Sequence, residues 1–118
     1  MSGEVDIVRR TFEFSVWIVK LCQVLEKKPG VPRILAGQIL RSGSSIGANV
    51  EEAQAGQSKA DFISKLSIAC KEARETRYWL RLLTATEVIS ETKLSALTDE
   101  ANQLTAILIT IINNTRTK

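Results

Sequence analysis

The chain reads as an all-α protein, an antiparallel up-and-down four-helix bundle. Apolar residues recur at steps of three and four in four segments, which is helical spacing. Lys27-Lys28-Pro29-Gly30 and Gly56-Gln57-Ser58 separate the first three of those segments. The alternation of a half-buried strand is missing, and so are the Asn-Gly and Asp-Gly turns of a hairpin. At 118 residues the chain suits one domain, residues 1–118, with a core that needs no disulfide or metal.

The first helix is expected from about Asp6 to Lys28, with one apolar stripe at Val8, Phe12, Val16 and Val19 and a flanking one at Phe14, Ile18, Leu21 and Leu25. Lys27-Lys28-Pro29-Gly30 ends it, and Pro32 suits the opening of the next helix. The second helix runs from about Pro32 to Ala55, marked by Leu35, Ile39, Ile46, Val50 and Ala53, with Gln38, Ser42, Ser45 and Asn49 on or beside that face. Gly56-Gln57-Ser58 interrupts the pattern, Gly56 fitting a left-handed cap and Ser58 capping a third helix from about Lys59 to Thr86. Its stripe is Phe62, Leu66, Ala69, Ala73, Thr76, Leu80 and Leu83, heptad-like spacing for an antiparallel partner. The fourth helix carries Leu94, Leu97, Ala101, Leu104, Leu108 and Ile111, with Thr92 or Ser90 as N-cap, and the tail from Asn113 to Lys118 is expected to fray.

The run from Leu40 to Ala53 keeps Ser, Gly and Asn inside a helical pattern, although each lowers helix propensity by up to roughly 1 kcal/mol relative to Ala. A packing or polar reason must hold them there. Gly43, Gly47, Ala48, Ala69, Cys70 and Ala73 are small enough for helices two and three to approach closely, and Ser42 and Ser45 can bond carbonyls one turn back. Arg41 is the charge expected in that contact, with Glu52 on its own helix and Glu72 or Glu75 on the next as partners.

Ile107, Ile109 and Ile112 on helix four, and Ile63, Ile68, Tyr78, Trp79 and Leu82 on helix three, widen the apolar surface beyond one stripe. Either a subunit interface covers them or they broaden a small core.

Composition excludes several function classes. Apolar residues at 44% and charged ones at 25% match soluble usage, and no run approaches the roughly 18 apolar residues of a membrane span. The start of the chain shows no secretory signal, so a cytoplasmic location is expected, and Cys22 and Cys70 read as inert buried thiols. The chain has 0 His, which removes the usual base near neutral pH and the commonest transition-metal ligand. Glu51, Glu52, Glu72 and Glu75 lack the Glu-x-x-His pairs of a diiron bundle. The chain is therefore expected to be no enzyme, with no cofactor and no metal. Lys71, Arg74, Tyr78 and Arg81 share one helical stripe with Arg77 beside it, and cations interleaved with an aromatic suit a phosphate backbone. A solvated or interfacial charged face competes with that reading, since the net charge is only +3 and Glu72 and Glu75 interrupt the field.

The block Gln38-Ile39-Leu40-Arg41-Ser42, then Ser45-Ile46-Gly47-Ala48-Asn49-Val50-Glu51-Glu52-Ala53, then Phe62, Leu66-Ser67-Ile68-Ala69 and Lys71-Glu72-Ala73-Arg74-Glu75-Thr76-Arg77-Tyr78-Trp79-Leu80 resembles the bacterial 23S rRNA-intervening-sequence, or S23, proteins. The resemblance implies a four-helix subunit, commonly assembled as a homopentameric ring, and structural roles for Arg41, Ser42, Ser45, Asn49, Glu52, Glu72 and Glu75. Ala53 stands where many members have Gly, and Glu72 where many have Ser. A more distant similarity, to accessory variability proteins of retroelements, suggests an RNA or DNA partner; RNA or a nucleoprotein is the expected partner, and the stripe Lys71, Arg74, Arg77, Tyr78 and Arg81 is the candidate contact. The expected function is a non-enzymatic oligomeric scaffold or accessory factor; the alternative is a protein-protein adaptor that docks a partner helix and has no nucleic-acid role.

Overall fold

The computed structural model describes residues 6–118. Met1–Val5, most of the run read for a secretory signal, lies outside the described residues. Four helices follow one another: α1 Ile7–Glu26, α2 Val31–Gln54, α3 Lys59–Ala85 and α4 Glu91–Arg116. They pack into an all-α bundle of 48 × 24 × 19 Å, with no strand among the described residues. Helix α2 packs on α1 and on α3, and α3 packs on α4, whereas α1 and α4 meet sparingly. No helix among the described residues is long and apolar enough to cross a membrane.

Asp6 opens α1, its side chain accepting from the Arg9 amide at 3.0 Å. The face that enters the core is Ile7, Thr11, Phe14, Ile18, Cys22 and Leu25. Of the two apolar stripes on this helix, the one expected to lead is the outer one: Phe12 is 60% exposed, and Val16 and Val19 are exposed too. Periodicity finds both stripes, but the partner decides which is buried. That partner is α2, whose glycines lie against Thr11 and Ile18.

Pro32 sits in the first turn of α2, where a missing N–H costs nothing, and Gly30 precedes it at φ +88. Gly56 does not adopt the expected left-handed conformation; α2 ends at Gln54 with Ala55 as its C-cap, and the Gly56 amide donates to the Ala53 carbonyl at 3.1 Å. The Ser58 side chain accepts from the Asp61 amide at 3.0 Å and starts α3. The buried face of α3 holds Leu66, Ala69, Ala73, Thr76, Leu80 and Leu83, with Phe62 half-buried at its start.

The far end of α3 is closed by a non-glycine residue in the left-handed region, Glu87 at φ 59. The Val88 amide donates to Leu83 O at 3.2 Å and the Glu87 amide to Thr84 O at 3.1 Å, the paired bonds of a Schellman cap. Ser90, rather than Thr92, is the N-cap of α4. The tail expected to fray is helical as far as Arg116; just before it Ile112 is buried and Ile111 half-buried.

Candidate nucleic-acid interface

The small residues of α2 face a different neighbour from the one expected. A Cβ on Gly43 would lie 2.7 Å from Ile18 Cγ2, and one on Gly47 would lie 3.2 Å from the Thr11 carbonyl oxygen. Both glycines therefore set the approach of α2 to α1, not to α3. Ala48 is exposed. Alanine spacing alone could not separate these neighbours, because a helix that packs on two sides has two buried edges.

Toward α3, α2 presents polar groups. Ser42 is fully buried and shares a 2.9 Å hydroxyl-hydroxyl hydrogen bond with Thr76, whose Oγ1 also lies 2.8 Å from the Glu72 carbonyl. Thr76 has one proton and a carbonyl can only accept, so the consistent order is Ser42 donating to Thr76 and Thr76 to the carbonyl. Beside Ser42 in the chain, the more exposed Arg41 donates to Glu72 at 3.1 Å, to Gln38 at 3.3 Å and to Glu75. Arg41 thus bridges two carboxylates instead of gripping one with both nitrogens. Glu75 also accepts from Trp79 Nε1 at 3.0 Å.

Glu52, expected as a partner of Arg41, sits instead 4.0 Å from Lys65, where both side chains are well exposed. Ser45 donates to Arg41 O at 2.6 Å and Asn49 to Ser45 O at 2.8 Å, so both satisfy carbonyls of their own helix. Of the small-polar run, Arg41 and Ser42 are the residues whose side chains hydrogen-bond to α3.

On the opposite flank of α3 lie Lys71, Arg74, Tyr78 and Arg81, all exposed, with Arg77 half-buried beside them. From Lys71 to Arg81 the row covers roughly 15 Å of helix axis. None of these cations forms an ion pair among the described residues, whereas Arg9, Arg10 and Arg41 are each paired. The cations of the row border a groove between α3 and α4 that has two recesses, and Tyr78 lines neither of them. One, of about 300 Å³, is lined by Lys71, Arg74 and Arg116 with Ser67, Cys70 and Asn113 among its walls, and among the described residues it has no carboxylate. The other, of about 620 Å³, joins Arg77 and Arg81 to Glu91, Asp99 and Asn102.

Arg116 was not among the residues singled out from the sequence. Helical period shows what shares a face of α3, but only the register of α4 against it brings this last-turn cation beside Lys71 and Arg74. Tyr78 is braced edge-on by Trp79, with ring centroids 5.2 Å apart and planes at 71°.

The thiols are shielded. Burial, with a smaller contribution from nearby Glu26, pushes Cys22 up to about 11, and its Sγ lies 3.4 Å from Ala36 O. Burial also raises Cys70, against an opposing pull from Arg74.

The second apolar faces expected on α3 and α4 are largely used inside the bundle: Ile63, Trp79, Ile107 and Ile109 pack against the core and Ile112 belongs to it. Exposed apolar surface concentrates instead on α1 and α2, at Phe12, Val16, Trp17, Val19, Ile34 and Leu40.

A family model described as 23S rRNA-intervening sequence protein matches residues 3–110 of this chain. The fold is also similar to a crystal structure from Bacteroides thetaiotaomicron VPI-5482, a protein of unknown function from the S23 ribosomal protein family. That similarity has a TM-score of 0.84 and 44% sequence identity, and it covers 90% of this chain and 97% of the other. No curated protein matches.

Proposed function

Because the chain belongs to the 23S rRNA-intervening sequence protein family, we propose that it is a cytoplasmic, non-enzymatic accessory or scaffold bundle that assembles with copies of itself and binds RNA along α3. The observation that carries this reading is the row Lys71, Arg74, Arg77 and Arg81, exposed or half-buried and without ion pairs among the described residues, beside an exposed tyrosine. A cation paired to a neighbouring carboxylate would have to give up that partner to take a phosphate; these need not. The absence of His leaves no side chain with an ordinary pKa near neutrality to run acid-base chemistry.

An antiparallel, up-and-down course is supported by the α2 to α3 contacts, since Arg41 meets Glu72 while the later Glu52 lies by the earlier Lys65. A homopentameric ring is the assembly implied by resemblance to the family. The adaptor reading has its own support in the exposed Phe12, Val16, Val19 and Leu40, a face suited to another protein surface.

Fluorescence anisotropy with labelled RNA tests the reading. With four phosphates neutralised on a single strand, affinity should fall about 50-fold between 50 and 200 mM salt. Reversing two charges with Lys71→Glu and Arg74→Glu should weaken binding and flatten that dependence. A folded protein that ignores RNA at low salt would favour the adaptor.

A further inference from the structure

Resting on the RNA-binding reading, we infer that the α3–α4 groove takes a single strand of nucleic acid and not a duplex, with phosphates on Lys71, Arg74 and Arg116 and a base stacked on Tyr78. The two ends of the groove differ in charge. Among the described residues the recess at Lys71, Arg74 and Arg116 has no carboxylate in its wall and offers guanidinium and ammonium donors at its charged positions. The recess at Arg77 and Arg81 includes Asp99 and Glu91, which repel phosphate but accept from the amino and imino groups of a base.

A duplex carries its phosphates in two continuous rows and keeps its base-pairing edges occupied, so it would bring phosphates onto those carboxylates and offer them few donors. A single strand can place its backbone at the basic end and turn its bases toward the acidic one.

Tyr78, beside the groove and outside both of its recesses, supplies the stacking surface. It is 54% exposed, one turn from both Arg74 and Arg81 on the same helix. Its ring is held edge-on by Trp79, whose Nε1 donates to Glu75, the carboxylate that Arg41 grips from α2. This chain of contacts fixes the platform before a base arrives, so little side-chain freedom is left to lose on stacking. The polar link between α2 and α3 thereby also positions the aromatic surface.

Anisotropy titrations on the full chain, with a labelled oligouridylate of roughly 12 nucleotides and an RNA duplex of the same length, test the inference, the length lying within the range that such grooves cover. The single strand should bind at least tenfold more tightly. Tyr78→Leu should weaken the single strand about tenfold, while Tyr78→Phe, which keeps the ring, should bind as the parent does. Arg116→Gln should weaken it as well. Far-UV circular dichroism of each variant shows that the bundle is intact. Equal affinity for both forms together with an indifferent Tyr78→Leu overturns the inference, and if Lys71→Glu with Arg74→Glu still weakens both forms, the RNA-binding reading stands without it. Failure of every RNA to bind the folded parent overturns both.

Discussion

Arg41 answers at one position why a helix rich in serine and glycine persists. Glu72 and Glu75, one turn apart on α3, repel each other, and Glu72 is only 8% exposed. The guanidinium between them offsets that repulsion and supplies donors to oxygens that burial has partly cut off from water. Cys22 shows the opposite response to burial, staying neutral. Its folded pKa of about 11 lies above the ordinary value of 9.0, so between those values the folded chain holds a proton that the unfolded chain has lost. Stability contributed by this thiol is therefore full below about pH 9 and is lost as pH rises toward 11, by about 2 kcal/mol. Urea melts of the parent and Cys22→Ala at pH 8 and pH 10.5 isolate the effect, since other titrations are common to both. The parent should lose more stability than the variant; parallel losses would mean that Cys22 is solvated.

Among the elements, α3 most plainly exceeds what local preference predicts. It runs for 27 residues without a glycine to stop it and closes by forcing Glu87 to φ 59. A side chain there is strained by roughly 1 kcal/mol, and glycine is the residue that relieves it. Glu87→Gly should raise the melting temperature by roughly 3 °C after allowance for the greater freedom of the unfolded chain, whereas Glu87→Ala should not. A differential melt of the three proteins decides it. The helices themselves were legible because steps of three and four with Gly-Pro and Ser punctuation are local signals. The choice between the two stripes of α1 was not, because it depends on Gly43 admitting Ile18, a contact between residues 18 and 43. The candidate site was legible as a row on α3 for the same local reason, whereas Arg116 and the groove depend on how α4 lies against it.

For the whole molecule, cations that form no ion pair among the described residues line α3 toward α4, while Phe12, Val16 and Val19 form an exposed stripe on α1 with Leu40 exposed on the neighbouring α2. A stripe of large apolar side chains at steps of four and three is what a second helix surface covers. Phe12, Val16 and Val19 line neither recess of the groove, so the proposed self-association and the proposed RNA binding are expected to respond to different substitutions. Phe12→Glu with Val16→Glu should reduce the mass measured by light scattering to that of the single 13.0 kDa chain. Helicity should be unchanged, because neither side chain belongs to the core. Binding of a short strand should be kept, since one groove suffices, while a long RNA that spans several grooves should lose roughly 100-fold in avidity. A double variant that retains the parent mass would place the interface elsewhere, and a parent that is monomeric at every concentration would remove the assembly altogether. Equal losses for short and long RNA would mean that the α1 face contacts the nucleic acid itself.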